Sequence, residues 1–251
     1  MLIGLIVGLL TATVVMSHVA PFPFILDAAS GKRSVWRMPQ ASDRRLVYLT
    51  FDDGPNPACT PLLLDLLREK GVHASFFVIE RHLTSETAPI VRRMFLEGHC
   101  VGLHSADRRL MTRSAGEVSR TLKAAADRME SLTGFRPSPL FRPHAGWRSV
   151  NMLRGLARLN FRLVGWSWMT WDWVGFRRRT AERVSSQVVS NAGPGKIIVI
   201  HDGHHRNQNA DRRYALDATA RIIDELRSRG YRFGVLWPGI ADLAAGAPQD
   251  R

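Results

Sequence analysis

The stretch Leu49-Thr50-Phe51-Asp52-Asp53-Gly54-Pro55 runs an apolar, strand-type segment straight into two adjacent carboxylates and a Gly-Pro turn. Neighbouring like charges raise one pKa, and desolvation raises both, unless a metal ion or a cationic partner compensates. A strand that ends in this way therefore marks a place where chemistry is done. Outward from it the pattern repeats. Short runs rich in β-branched, Leu and Phe residues recur at 46–51, 73–78, 100–103, 139–141, 161–166, 197–200 and 231–236. Helical stretches separate them. Residues 61–71 begin with Pro61 and stop at Gly71, and a second helix stops at Gly230, the end signals that helices prefer. Residues 114–132 open with Ser114 and Glu117, the spacing of a capping box. Seven strands alternating with helices predict an α/β fold with a parallel sheet, open or closed into a barrel.

In such folds the reactive groups sit at the carboxyl ends of the strands. Asp52 and Asp53 follow the first run, His104 the third and Arg142 the fourth. Asp172 lies a few residues past the fifth, and His201 ends the sixth. Any one of these reads equally well as a buried polar group paired for structure. The set does not.

At 251 residues, 45% hydrophobic and 23% charged, the chain fits one large globular domain more easily than two. The formal net charge of +13 comes almost wholly from arginine, since only Lys32, Lys70, Lys123 and Lys196 are lysines among the 35 basic residues. Charge of this kind calls for an anionic partner. No RNA-binding signature, zinc-finger spacing or basic heptad accompanies it, so an anionic membrane or cell-envelope surface is favoured over nucleic acid. Cys59 and Cys100 are too few for a disulfide framework and too isolated for a metal clip, and are expected to pack as small hydrophobes.

Residues 1–16 carry no charge and are almost entirely apolar, a character that persists to Leu26. Neither a basic start nor a small-x-small cleavage site is clear, so residues 1–28 are expected to be an uncleaved membrane anchor, with a cleaved signal segment as the alternative. The flank Lys32, Arg33, Arg37, Arg44 and Arg45 would by the positive-inside rule put the globular part in the cytoplasm, against an envelope location. A linker over 29–44, a catalytic domain over 45–240 and a tail over 241–251 complete the division.

Five segments resemble the motifs of the polysaccharide deacetylase family, carbohydrate esterase family four. Thr50-Phe51-Asp52-Asp53-Gly54-Pro55 matches the first without change, and Glu97-Gly98-His99 to His104-Ser105 looks like the second. Arg142-Pro143-His144-Ala145-Gly146 looks like the third, with His144-Ala145 where proline and an aromatic residue are usual. Asp172-Trp173 fits the end of the fourth, and Val199-Ile200-His201-Asp202 the fifth. The resemblance spans 45–238 and implies a distorted seven- or eight-stranded β/α barrel.

It also implies roles. Asp53 and His104 would be ligands of a divalent metal ion, zinc in the first instance. Asp52 would be the general base and His201 the general acid. Arg142 would orient Asp52, and Asp172 would align His201. Amide hydrolysis needs these parts: a base for the attacking water, an acid for the leaving amine and a polarised carbonyl. Trp166, Trp168, Trp171 and Trp173 read either as sugar-stacking rings or as an aromatic barrel wall. The family's second motif has another histidine four residues after the first, and here that position is Arg108. Asp107 is the expected substitute ligand and His144 a second candidate, because catalytic zinc sites normally keep three protein ligands. Arg108 could instead supply the missing charge or bind an acidic substrate group. His204 and His205 read as a solvated polar loop, with an accessory metal site the lesser alternative. His99 reads as a structural hydrogen-bonding group, and Arg177, Arg178 and Arg179 as an exposed face. The reading is a membrane-associated hydrolase that removes acetyl from N-acetylated sugars of an envelope or extracellular glycan. The alternative is a degenerate homologue that binds a glycan or lipid-linked sugar without turnover.

Overall fold

Strand β2, Leu46–Asp52, is buried along nearly its whole length, the mark of a strand covered on both faces. The computed structural model describes residues 2–19, 25–29, 33–39, 45–169 and 180–238. Two helices, α1 (Leu2–Val19) and α2 (Ile25–Ala29), and a short strand β1 (Ser34–Val35) precede β2. The alternation that follows is α3 (Thr60–Glu69), β3 (Ser75–Ile79), α4 (Ala88–Leu96), β4 (Cys100–His104), α5 (Ala115–Thr133), β5 (Leu140–Arg142), α6 (Val150–Arg158), β6 (Arg162–Val164), β7 (Trp168–Met169), α7 (Ala181–Asn191), β8 (Ile197–His201), α8 (Arg213–Ser228) and β9 (Arg232–Phe233).

The sheet runs β1-β6-β5-β4-β3-β2-β8-β7, with β9 added beside β2, and these strand pairs are parallel. Among the described residues, the terminal strands β1 and β7 of this curled sheet share no ladder. The chain passes from β6 to β7 through 165–167, and Ser167 Oγ donates to the carbonyl of Trp36, next to β1, at 2.5 Å. Ser167 N–H donates to the Ile197 carbonyl at 2.9 Å, and Gly165 N–H to that of Val35 at 2.8 Å. The outcome is a distorted β/α half-barrel, a parallel sheet as the alternation of elements predicts and distorted as the resemblance implies.

Strand periodicity sorts the side chains into two sets. Leu49, Phe51, Phe76, Val78, Val101, Leu103, Phe141, Ile198 and Ile200 face outward and pack with Leu63, Leu67, Met129, Ile222 and Leu226 of the surrounding helices. Tyr48, Phe77, Cys100, Leu140, Val164 and Ile197 fill the interior. Burying a side chain such as Leu or Phe stabilises by about 1.5–3 kcal/mol, so the outer set is what fixes the strand register. A one-residue slip would turn every inner residue outward. Helix α5 begins with the expected capping box: Glu117 N–H donates to Ser114 Oγ, and Ser114 N–H to Glu117 Oε2 at 2.9 Å. Cys59 and Cys100 are both buried.

The amino terminus differs from expectation. Among the described residues no helix is long and apolar enough to cross a membrane, and the transmembrane segment expected within 1–28 is not shown. Helix α1 has 18 residues, about 27 Å at the helical rise. Its polar end is also tied to the body, with Ser17 buried and Arg148 N–H donating to the His18 carbonyl at 2.8 Å. Leu5, Leu9 and Leu10 along it are exposed. The tail 241–251 lies outside the described residues.

Candidate active site

The same period of two that sends Leu49 and Phe51 outward sends Thr50 and Asp52 inward, along with His104, Arg142 and His201 at the ends of β4, β5 and β8. Asp52 and His201 are register partners on adjacent strands, and so are His104 and Arg142. Four of the sequence-predicted residues therefore line one rim.

Arg142 is fully buried, which only dense pairing permits. Its Nη1 lies 2.6 Å from Asp52 Oδ1 and donates to Thr50 Oγ1 at 2.8 Å. Nη2 donates to the Gly165 carbonyl at 2.9 Å, and the guanidinium carbon stands 4.0 Å from the Phe77 ring centroid. Thr50 passes the chain on, donating to the Ile198 carbonyl at 2.7 Å. Burial pulls the Arg142 pKa down, and the Asp52 carboxylate opposes that pull.

Asp53 has a left-handed backbone (φ 73°), a strained conformation of the kind that clusters at functional sites. Gly203 makes the turn possible, since a Cβ there would lie 2.1 Å from the Asp53 carbonyl oxygen. Asp53 Oδ1 is buried, has no hydrogen-bond partner, and faces His104 Nε2 at 3.4 Å. His104 Nδ1 is 2.8 Å from the Arg142 carbonyl, so in the neutral ring it carries the proton and leaves a lone pair on Nε2 aimed at Asp53. Two donors on one tetrahedral ion at about 2.0–2.1 Å each stand about 3.3 Å apart. This orphaned oxygen and oriented imidazole fit a divalent metal ion. Burial acts to raise the Asp53 pKa, but the imidazoles of His104, His201 and His205 outweigh it and hold the carboxylate well below the usual range.

The structure does not bring Asp107 to this pair. Strand β4 ends at His104, and the chain bends rather than continuing as a helix, so residues three apart do not share a face. Asp107 is about half exposed and turned to its own loop, where Arg109 N–H donates to its Oδ1 at 2.9 Å. Arg108 is exposed, its guanidinium carbon 4.8 Å from the Trp147 ring centroid. Among the described residues no group of three His, Cys, Asp or Glu side chains stands ready to hold a metal ion. His144 stands close to the pair, its ring centroid 6.3 Å from that of His104 and 4.8 Å from that of His205. Burial, helped by the charges of His104 and His205, lowers the His144 pKa to about 4. His205 is half-buried against it, and the solvated loop expected at 204–205 is instead part of the rim. His99 is structural, accepting from Ala74 N–H at 3.1 Å. Trp166 meets Trp36 edge to face at 6.0 Å, as a wall residue would. Asp172, Trp171, Trp173 and Arg177 to Arg179 lie outside the described residues.

Asp202 is the residue that sequence reasoning did not single out. It is buried beneath the Gly54-Pro55 turn, where the Thr60 hydroxyl donates to its Oδ2 while Oδ1 has no hydrogen-bond partner. Burial first, and then the charges of Asp53 and Asp52, push its pKa up to about 7. Its place one residue after an inward-facing histidine, on the opposite parity, was the available signal.

A buried carboxylate–guanidinium pair, a histidine across the ladder from it and a buried Asp oxygen facing an imidazole share the carboxyl rim of this parallel β/α half-barrel. The sequence profile of the polysaccharide deacetylase family matches residues 40–164. A chitooligosaccharide deacetylase of Azorhizobium caulinodans is 33% identical over 193 residues, 74% of this chain and 90% of that protein. A peptidoglycan-N-acetylglucosamine deacetylase of Bacillus cereus is 31% identical over 204 residues, 79% of this chain and 88% of the other. The crystal structure of the Bc1960 peptidoglycan N-acetylglucosamine deacetylase superposes with a TM-score of 0.72 at 28% identity, covering 92% of this chain and all of that one. A family 4 acetyl xylan esterase from Clostridium thermocellum, solved with a cobalt ion, gives 0.69 at 29% identity over 82% of this chain and 94% of its own. The chain belongs to the polysaccharide deacetylase family, and is a hydrolase of carbon–nitrogen bonds other than peptide bonds.

Proposed function

We propose that this enzyme is a metal-dependent N-deacetylase acting on N-acetylated sugars of an envelope or extracellular glycan, of the peptidoglycan or chitooligosaccharide kind. The observation that carries the reading is the pairing of Asp52 with Arg142, directly across the strand ladder from His201. A permanently cationic guanidinium holds Asp52 Oδ1 and fixes the carboxylate as an acceptor. The attacking water gives its proton to Asp52, and the leaving amine takes one from His201, whose imidazole suits transfer near neutral pH. Asp172 is assigned to keep His201 aligned. A divalent ion, held by Asp53 and His104, would supply Lewis-acid polarisation of the acetyl carbonyl. The net charge of +13 and the exposed apolar side chains of α1 support a place at the anionic envelope surface.

The test is acetate release from chitooligosaccharides and peptidoglycan fragments. Asp52→Asn and His201→Ala are each expected to lower kcat by about 10²–10⁴. Arg108, standing where the family has a metal-binding histidine, favours one second reading, a homologue that binds glycan without turnover. Saturable glycan binding with no acetate from wild type would select it.

A further inference from the structure

We propose that His144 is the third protein ligand of the metal ion, completing a set with Asp53 Oδ1 and His104 Nε2 that replaces the ligand lost at Arg108. The inference rests on the proposed reading that the site takes a divalent ion. Two residues that could have filled the place are committed elsewhere. Arg108 lies over Trp147, and Asp107 caps the turn of Arg109. His144, in contrast, is held at the site by its backbone. Its N–H donates at 2.8 Å to the hydroxyl of Ser105, the residue after His104, so the loop after β5 is pinned to the end of β4. The left-handed backbone of Ala145 (φ 50°) turns the chain sharply just past it.

The His104 and His144 rings stand about 1 Å farther apart than ligation needs. Imidazoles bound to one tetrahedral ion through nitrogens about 2.0–2.1 Å from it have centroids roughly 5 Å apart. The His104 and His144 centroids are 6.3 Å apart, with the rings tilted by 45°. A closure of about 1 Å, within reach of a side-chain rotation, brings the two into that range. The His205 ring centroid lies 4.8 Å from that of His144, so the two rings pack together. Three ligands leave one position open for substrate, as catalytic sites require.

The experiment strips the full chain with EDTA in mild detergent, then titrates Co²⁺ by visible absorption and Zn²⁺ by calorimetry. Wild type is expected to bind one ion. His144→Ala and His144→Gln are expected to weaken binding by more than about 100-fold, the upper end of what outer-shell changes cost, and to alter the Co²⁺ spectrum. Asp107→Ala should bind as wild type does. Melting in EDTA at the wild-type temperature shows that a variant is folded, and the Gln variant serves if the Ala variant is not. The proposal is overturned if wild type takes up no Co²⁺ or Zn²⁺, if both His144 variants bind like wild type, or if only Asp107→Ala or His205→Ala loses the ion. Acetate release separates the two readings. Release by wild type with unaltered binding in the His144 variants refutes the ligand and leaves the deacetylase. Binding lost in those variants, with no acetate from wild type, supports the ligand and removes the deacetylase.

Discussion

Arg142 enters the barrel with its guanidinium cut off from water, and the groups around it answer that fact: the Asp52 carboxylate, the Thr50 hydroxyl, two backbone carbonyls and the Phe77 ring. Removing one member of a buried pair leaves the other charged and unpaired, at a cost of about 3–5 kcal/mol. Arg142→Met is therefore expected to lower unfolding stability by that amount in urea. A change under about 1 kcal/mol would mean that Asp52 is not dependent on it. Asp202 gives a pH signature. With its pKa raised from an ordinary 3.8 to about 7, the folded chain keeps a proton that the unfolded chain has lost throughout that interval. Stability from this group is thus greatest at the acid end, falls as pH rises through the window, and is level above it. In EDTA, Asp202→Asn should melt above wild type at pH 8, with the difference shrinking towards pH 5. Parallel melting curves across that range would remove the assignment.

At the scale of elements, α5 shows a short-range signal read correctly. Ser114 and Glu117 stand three apart at the edge of an apolar pattern, and they close the capping box. Ser114→Ala should cost about 1 kcal/mol, measured by thermal melting, with activity kept. The inward row at the rim was equally legible, because strand parity carries it and Phe51, Leu103 and Phe141 announce the outer face. The strands β1 and β7 were not, since two residues each are too few to show a period. Helix α8 starts well before the apolar run at 222–226 because its first turns bury only Ala215, Ala218 and Thr219. Asp107 stands apart from the Asp53–His104 pair for a related reason. The expectation assumed a helical turn where the chain bends, and nothing in the spacing of Ser105, Ala106 and Asp107 distinguishes the two. His144 and His205 meet across 60 positions of sequence, a contact that no local pattern records.

The whole molecule carries its burdens unevenly. Helix α1 presents Leu5, Leu9 and Leu10 to solvent, while its far end is seated by Arg148 on the loop that also bears His144. A chain lacking residues 1–16 is expected to elute without detergent at the volume of a monomer and to retain the melting temperature of the full chain. Persistent self-association would place the sticky surface elsewhere. Around the ring, seven joints are ladders of strand bonds, but the end strands β1 and β7 share none, and the link 165–167 beside that seam is tied by single hydrogen bonds. A hoop with one soft joint yields there first. Amide protons of Gly165 and Ser167 should exchange with deuterium well before those of Leu49 or Phe51, and because Gly165 also receives Arg142, each such opening would momentarily loosen the grip on the base.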